Sequence, residues 1–304
     1  MKVIIFGCQQ IAVDFINYLV TLPEIELPLV VTYELPMDQT YGYESVIREA
    51  GILGLTVRHP KRVTEELVQE IESIAPDIIF SIYYRKIFPQ TLLDIPPLGC
   101  INVHPSILPD YRGPVPTAWA IENGETRTGV TIHYMDKGID TGDILVQQEF
   151  PIGKQETGYE LYTKAMEIGA DMLKEHFWDL ILGKIKSVKQ TGIGSYFGKK
   201  NSKYKIDWQQ RAEKINNNIR VHAKPYNTAE SPILNHYVFI NKAEIIKDGK
   251  YPPQGAGKIV DILEGEKLIV SCADGCLLLQ DYDIFPELSE KEKIIYLRIG
   301  NKLE

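Results

Sequence analysis

Two polar side chains at the end of one buried strand are the residues of this sequence best suited to chemistry. Asn102 and His104 lie in the apolar run that begins at Cys100, and Pro105 follows them. Because strand side chains alternate, both point to the same face of a sheet, and Pro105, which has no N–H, ends the strand. A neutral imidazole can accept a proton near pH 7. An amide can donate a hydrogen bond to an oxygen that gains negative charge. The pair therefore fits acyl transfer.

A loop rich in Asp and Gly, residues 136–143, could supply the carboxylate that such a histidine needs. Asp140 would orient His104 and stabilise its charged form. No Ser or Cys lies in a G-x-S-x-G setting, so we expect direct attack by the acceptor and no covalent acyl-enzyme. The alternative is that His104 only caps or packs. The Pro-rich turn after His104 and the later Asp/Gly loop favour the catalytic interpretation.

Alternating apolar strands and amphipathic helices must position these residues. Periodicity predicts strands at residues 2–6, 29–32, 78–82, 100–103, 129–135 and 144–150, and helices at 11–22, 43–50, 64–74 and 158–182. Strands that alternate with helices predict an α/β fold with a mostly parallel sheet, covered on both faces. Asn102 and His104 would then lie at the carboxyl edge, where open α/β sheets bind ligands.

The last third of the chain has a different pattern. Residues 190–205 are rich in Gly and Lys and have little periodicity, and a predicted helix at 211–221 follows them. Predicted short strands at 237–240, 257–264, 267–271 and 276–285 suggest a small β-barrel. We therefore predict a catalytic domain at residues 1–188, a linker at 189–205 and a smaller C-terminal β-rich, OB-like barrel domain at 206–304. Such a barrel would also suit a homodimer.

Composition excludes several classes of protein. A net charge of -8 and a pI of about 5.4 make nucleic acid an unlikely partner, because phosphate contacts need a surplus of Lys and Arg. No signal peptide and no membrane-spanning segment are recognisable, so we predict a cytoplasmic protein with reduced thiols and no membrane partner. Cys272 and Cys276 have the spacing of half a zinc site, but no second Cys/His pair lies nearby, and we predict no metal.

Three segments of the chain resemble the folate-dependent formyltransferases in order and spacing. They are residues 102–113, 124–131 and 136–144. The resemblance implies a Rossmann-like N-terminal domain, N10-formyltetrahydrofolate as the formyl donor, and no metal. It also implies that His104 is the proton acceptor and that Asn102 and Asp140 assist it.

A shorter segment, Phe80–Arg85, is similar to the F-S-x-Y-Y-R sequence of the branch that formylates UDP-4-amino-4-deoxy-L-arabinose. This similarity implies that the acceptor is the amine of a nucleotide-linked 4-amino-4-deoxy sugar. It also implies that folate contacts two segments, comprising Lys86, Ile87 and Phe88, and Asp136, Lys137, Gly138, Ile139 and Asp140. Pro114 stands where that branch carries an arginine, so only a backbone contact with folate is carried over there.

Five residues that follow predicted strands could bind the sugar nucleotide, namely Gln9, Gln10, Tyr83, Tyr84 and Arg85. Arg85 could pair with a phosphate bidentately. Gln9 and Gln10 are interpreted equally well as polar residues at a helix start. His133, on a predicted strand, is interpreted as structural.

Methionyl-tRNA is the main alternative acceptor. The tRNA formyltransferases carry a basic insertion after the second strand, whereas residues 33–41 here contain two acidic and no basic residues. Together with the net charge of -8, this composition argues against tRNA. A second alternative is a catalytically inactive binding module that keeps the fold. The intact set of Asn102, His104 and Asp140 argues against it.

Overall fold

The computed structural model describes residues 1–33, 41–200, 204–247 and 249–304. The chain forms two compact units, and each draws on separate stretches of sequence. The first unit holds residues 1–116, 127–150 and 162–199, and the second holds 117–126, 151–161 and 200–304. The domain and linker bounds derived from the sequence stay a prediction. Most of residues 33–41, the segment with two acidic and no basic residues, lies outside the described residues.

The first unit is built on a seven-stranded sheet with the spatial order β3-β2-β1-β4-β5-β6-β7. Its strands are β1 (Lys2–Gly7), β2 (Glu26–Val31), β3 (Val57–Arg58), β4 (Ile78–Ile82), β5 (Cys100–His104), β6 (Arg127–Tyr134) and β7 (Ile144–Pro151). Strands β1 to β5 pair in parallel, and β6 pairs antiparallel with β5. The expected mostly parallel α/β sheet is therefore confirmed.

In the described part of the chain, six helices lie between residues 8 and 182. They are α1 (Gln9–Leu19), α2 (Val46–Ile52), α3 (Glu65–Ile74), α4 (Gln90–Leu93), α5 (Pro116–Glu122) and α6 (Gly158–Ile181). Helix α5, apart from Pro116, and the first four residues of α6 belong to the second unit. Helix α3 begins after Thr64, whose side chain accepts a hydrogen bond from the Leu67 N–H and so satisfies one free donor of the first turn. The buried side chains of Leu67 and Ile71 belong to a core that includes Phe6 on β1.

The order of the strands creates the crevice in which a ligand is expected. Strand β1 has β2 on one side and β4 on the other, so the chain changes direction across the sheet between β1 and β4. Ligands of open α/β sheets bind at the carboxyl ends of the strands beside such a switch point. Gln9 follows β1, Tyr83 follows β4, and His104 is the last residue of β5.

The second unit is built on a six-stranded sheet with the order β11-β12-β13-β10-β9-β8. Its strands are β8 (Tyr204–Lys205), β9 (Ala229–Ile233), β10 (His236–Ile246), β11 (Ile259–Leu263), β12 (Lys267–Ser271) and β13 (Cys276–Phe285), with helices α7 (Ala212–His222) and α8 (Glu290–Tyr296). All pairings except β8 with β9 are antiparallel. A smaller β-rich C-terminal domain is therefore confirmed. The homodimer stays a prediction.

A core of its own stabilises the second unit. Trp208, Ile215 and Ile219 pack with apolar side chains from β10, β12 and β13. The Trp208 indole N–H donates to the Ser231 hydroxyl over 2.9 Å, so its one polar atom is satisfied inside the core. No helix among the described residues is long and apolar enough to cross a bilayer.

Candidate active site

The antiparallel register of β5 and β6 places two pairs of side chains on one face of the sheet. Asn102 lies opposite His133, and His104 lies opposite Thr131. Since side chains two residues apart in a strand point the same way, all four share a face. This alignment places His133 and Thr131 of β6 beside the predicted pair of Asn102 and His104.

The imidazole of His104 is held between a backbone carbonyl and a carboxylate. Its Nε2 lies 2.8 Å from the Tyr111 carbonyl oxygen. A carbonyl can only accept, so Nε2 is the protonated nitrogen. Its Nδ1 lies 3.5 Å from Asp140 Oδ2. Nδ1 is therefore the ring atom that can accept a proton, and the carboxylate lies beside it to stabilise the charged ring.

Asp140 occupies a backbone conformation that aims its carboxylate inward. Its φ of 54° is in the left-handed region, which Asp and Asn adopt more readily than most residues. Oδ2 accepts a 2.8 Å hydrogen bond from the Gly113 N–H. The loop before it is closed by Asp136, whose Oδ1 accepts from the Gly138 N–H and the Thr141 hydroxyl at 2.9 and 2.6 Å.

A glycine lets this loop approach the end of β6. A Cβ on Gly142 would lie 1.9 Å from the Tyr134 carbonyl oxygen, a distance that no side chain can occupy. The loop therefore packs against the strand backbone only because the position has no side chain.

His133, which the sequence analysis interprets as structural, lies beside Asn102 and Asp140. The Asn102 amide nitrogen lies 3.1 Å from His133 Nε2, and His133 Nδ1 donates to the Tyr134 carbonyl at 2.7 Å. Burial lowers the pKa of His133 below its usual value; Asp140 opposes this effect and His104 adds to it. The ring is therefore neutral and accepts from Asn102. The register of β5 and β6 is what shows that His133 lies opposite Asn102.

The turn after His104 is braced from β6 and β7. The Thr131 hydroxyl donates to the Ser106 carbonyl at 2.6 Å and accepts from the Leu108 N–H at 3.2 Å. The Gln147 amide donates to Thr131 Oγ1 and to the Leu108 carbonyl, at 2.9 and 2.8 Å. These bonds fix the backbone that carries the Tyr111 carbonyl toward the imidazole.

The residues expected to contact folate have different environments. The Lys86 ammonium donates to the Pro60 carbonyl and lies 4.4 Å from the centre of the Tyr33 ring. The Phe88 ring is buried against Phe6, so its side chain belongs to the core. By contrast, the Ile87 side chain is 78% exposed.

The remaining residues of the expected folate site lie nearer to His104 and Asp140 in sequence. Asp136, Lys137 and Gly138 are exposed, and Ile139, next to Asp140, is 46% exposed. Pro114, which follows Gly113, is half-buried. Ile139 is thus an exposed apolar side chain that precedes Asp140 in sequence.

Gln9 and Tyr83, two of the expected sugar-binding residues, converge on a residue that the sequence did not indicate. The Tyr162 hydroxyl donates to Gln9 Oε1 at 2.6 Å, and the Tyr83 and Tyr162 ring centres are 5.5 Å apart. Burial raises the pKa of Tyr83 well above its usual value, and its hydroxyl has no hydrogen-bond partner within the described ranges. Tyr162 lies 153 residues from Gln9, so no local pattern could have found it.

The other three expected sugar-binding residues are placed differently. The Gln10 amide donates to Asp14 over 2.6 Å, one turn along α1. Tyr84 is buried, with its ring 5.1 Å from that of Phe6. Arg85 is exposed, and its backbone N–H donates to the Tyr33 hydroxyl at 3.2 Å. The structure therefore brings Gln9 and Tyr83 together, whereas Gln10 bonds within α1 and the Tyr84 ring packs against β1.

The cysteines and the acidic side chains are the other residues that could bind a metal. All four cysteines are buried, and none forms a disulfide. No group of three or more His, Cys, Asp or Glu side chains with the geometry of a metal site occurs in the parts of the chain that the structure describes.

Two sequence profiles match the chain. Residues 39–176 match the profile described as "Formyl transferase", and residues 199–284 match "Formyl transferase, C-terminal domain". A methionyl-tRNA formyltransferase from Synechococcus sp. (strain JA-2-3B'a(2-13)) is 32% identical over 290 residues, covering 92% of this chain and 90% of that protein.

Two further relatives come from other branches. The bifunctional polymyxin resistance protein ArnA of Wigglesworthia glossinidia brevipalpis is 34% identical over 275 residues, covering 90% of this chain and 41% of that protein. An N-formyltransferase from Helicobacter canadensis, solved with folinic acid and dTDP-3-aminofucose, superposes with a TM-score of 0.73 at 25% identity. That match covers 93% of this chain and 100% of the other.

Proposed function

The chain belongs to the formyl transferase family, and we propose that it transfers the formyl group of N10-formyltetrahydrofolate to the amine of a nucleotide-linked 4-amino-4-deoxy sugar. The observation that carries the formyl-transfer chemistry is the convergence of three groups. The His104 Nδ1 lies 3.5 Å from Asp140, and the Asn102 amide lies on the same face of the sheet. Nucleophilic attack on a formyl carbon requires a base for the proton of the amine and a hydrogen-bond donor for the developing oxyanion, and the carboxylate stabilises the protonated base.

Each group has one role in the proposed reaction. The neutral amine attacks the formyl carbon, and a C–N bond forms as the carbonyl oxygen takes on negative charge. One hydrogen of the Asn102 amide is directed to His133, which leaves the other to donate to that oxygen. His104 Nδ1 accepts the proton lost by the amine, and Asp140 stabilises the charged ring.

The tetrahedral intermediate then collapses toward the folate. The bond between the formyl carbon and folate N10 breaks, and N10 leaves as it takes a proton from His104. The same imidazole is therefore base in the first step and acid in the second. The products are the formamide and tetrahydrofolate, with no net change in protons on the protein.

Folate binding is supported by the surroundings of the cluster and by a relative. Ile87 and Ile139 are exposed apolar side chains, on segments that the family resemblance assigns to folate. We assign the donor to these segments, together with Pro114 and the loop from Asp136 to Asp140. The Helicobacter canadensis enzyme was solved with folinic acid, a formyl folate.

The sugar acceptor is supported by a structural relative and by charge. The Helicobacter canadensis enzyme was solved with a nucleotide-linked amino sugar, and it matches 93% of this chain. The net charge of -8 also disfavours a polyanionic acceptor. We place the sugar nucleotide near Gln9 and Tyr83, at the ends of β1 and β4, and propose that the exposed Arg85 side chain pairs with a phosphate.

Methionyl-tRNA is the second candidate acceptor. It is favoured by the Synechococcus relative, which shares 32% identity and covers 92% of the chain. Binding of tRNA would depend strongly on salt, because it releases counterions from phosphates. Binding of a sugar nucleotide with two phosphates would depend on salt much less.

A panel of acceptors tests the proposal. The purified protein is incubated with N10-formyltetrahydrofolate and, separately, nucleotide-linked 4-amino sugars, nucleotide-linked 3-amino sugars and methionyl-tRNA. Release of tetrahydrofolate and the mass of one added formyl group are measured, with His104→Ala as the inactive control. Formylation of a 4-amino sugar supports the proposal. Formylation of a 3-amino sugar alone, of methionyl-tRNA alone, or of no acceptor overturns it.

A further inference from the structure

The segment of residues 188–197 contacts both loops that build the cluster around His104. At one end, Val188 and Ile144 exchange two backbone hydrogen bonds of 2.8 Å at the start of β7. At the other end, the Arg112 N–H donates to the Ser195 carbonyl at 2.9 Å, and the Ser195 N–H donates to the Pro109 carbonyl at 3.2 Å. This segment therefore spans from the Asp140 loop to the turn after His104.

Gln190 is the side chain within this segment that joins the two loops directly. Its amide nitrogen donates to the backbone carbonyls of Asp140 and Gly142, both at 2.8 Å. Its Oε1 accepts from Nη2 and Nε of Arg112, at 2.6 and 3.1 Å. Both amide hydrogens and the carbonyl oxygen are used, so the side chain is fixed from both sides.

The residues beside Arg112 explain why this link bears on chemistry. Tyr111, before it, supplies the carbonyl that holds His104 Nε2, and Gly113, after it, supplies the N–H that holds the Asp140 carboxylate. Gln190 therefore binds the Asp140 backbone to the stretch of chain that orients both His104 and Asp140. A small movement of either loop would change the separation of imidazole and carboxylate.

We infer that Gln190 is a positioning residue for Asp140. This inference rests on the proposed function, because Asp140 has a catalytic role only in the proposed reaction. Gln190 need not touch substrate. It holds the carbonyls of residues 140 and 142 so that the left-handed conformation of Asp140 directs the carboxylate toward His104. Misplacing a catalytic group by ~1 Å can cost ~10²-fold in rate.

Two substitutions distinguish the hydrogen bonds that Gln190 donates to the Asp140 loop from those that it accepts from Arg112. Gln190→Met keeps the length of the side chain and removes every polar atom. Gln190→Glu keeps an acceptor for Arg112 and removes the donor to the Asp140 and Gly142 carbonyls. We expect both to lower kcat by ~10- to ~100-fold, with KM for either substrate changed little. Normal kcat in Gln190→Glu would overturn the inference, because the donated hydrogen bonds would then be dispensable.

Lys189→Met is the matched control, since Lys189 is the exposed neighbour of Gln190 in the chain. It should keep the wild-type kcat. If it lost as much activity as Gln190→Met, the effect would come from the segment as a whole and the inference would fail.

A double variant tests whether Gln190 acts through Asp140. With Asp140→Asn already in place, adding Gln190→Met should lower kcat by little more, because the carboxylate that it positions is gone. If the two losses multiplied, Gln190 would act independently of Asp140, and the inference would be wrong.

A readout that needs no turnover keeps this test separate from the proposed function. In protein labelled with ¹⁵N-histidine, the Nδ1 resonance of His104 is identified by its loss in His104→Gln. Gln190→Met should move this resonance in the direction that Asp140→Asn moves it, and Lys189→Met should leave it in place. An unmoved resonance in Gln190→Met overturns the inference even if the enzyme is active. A protein that formylates no acceptor but shows the shift supports it while the proposed function fails.

Discussion

The Gly113 N–H donates a 2.8 Å hydrogen bond to Asp140 Oδ2, across 27 residues of sequence. The same oxygen lies 3.5 Å from His104 Nδ1. One backbone donor therefore sets where the carboxylate stands relative to the imidazole. The turn that supplies this donor is as much a part of the site as the side chains themselves.

Gly113→Ala should damage both stability and turnover. Gly113 has a φ of 94°, and a Cβ there would lie 2.3 Å from the Phe197 carbonyl oxygen. We expect a loss of about 1–3 kcal/mol in the free energy of unfolding from backbone strain, and a lower kcat because the donor moves. Thermal unfolding and steady-state kinetics measure the two effects. Gly198→Ala is the control, since its Cβ would meet no atom within 4 Å; equal damage in both would contradict the argument.

Asp140→Asn should remove the charge and keep the loop. Asn tolerates the left-handed φ of 54° and its side-chain oxygen can still accept from Gly113. The imidazolium would lose its stabilising charge, and we expect kcat to fall by at least ~10²-fold, by analogy with loss of the orienting carboxylate in a His-carboxylate pair. Single-turnover formyl transfer measures the fall. A kcat within a few-fold of wild type would remove Asp140 from the mechanism.

His104→Gln should abolish most turnover without unfolding the first unit. Gln cannot accept and return a proton near pH 7, and general acid–base catalysis contributes ~10²–10⁴-fold. The amide keeps a donor for the Tyr111 carbonyl, which His104 Nε2 contacts at 2.8 Å. Kinetics and near-ultraviolet circular dichroism are compared with wild type. Near-normal turnover in a folded variant would show that another group accepts the proton.

Asn102→Ala should lower kcat more than it raises KM. The amide is placed to donate to an oxygen whose charge develops only as the bond forms, and loss of one such donor costs ~10²–10³-fold. Folate affinity, measured by titration with a formyl folate, should change little. A large loss of affinity with unchanged kcat would instead make Asn102 a binding residue.

His133 should make stability depend on pH. The buried ring has a lowered pKa in the folded state, so below about 6.5 the unfolded chain binds a proton that the folded chain does not. The free energy of unfolding should therefore decrease as pH falls below about 6.5, by up to about 1.4 kcal/mol per pH unit from this group. Above that pH its contribution is constant.

A substitution isolates this contribution from those of the other histidines. His133→Gln does not titrate, so its free energy of unfolding should fall less steeply with decreasing pH than that of the wild type. Denaturant unfolding at a series of pH values between 5 and 8 measures both slopes. Parallel slopes for the two proteins would mean that His133 titrates normally in the fold.

Several parts of the fold followed from local pattern. The apolar runs that became β4 and β12 were predicted at the residues where the structure has them, Ile78–Ile82 and Lys267–Ser271. Strands β3 and β8 were not predicted, because each has two residues and the alternation of apolar and polar side chains cannot be recognised over so short a segment. The partner strand of each element also lay beyond the reach of local periodicity.

The sequence by itself determined that Asn102 and His104 share a face at the end of a buried strand, since side-chain alternation and the proline after them are local properties. It also carried the motif that identifies the family. Only the tertiary structure decided that His133 faces Asn102, that Gly113 holds Asp140, and that Gln190 reaches back 50 residues to the Asp140 carbonyl. Those contacts depend on strand register and loop closure, which arise from packing between distant segments and leave no periodic signal in the chain.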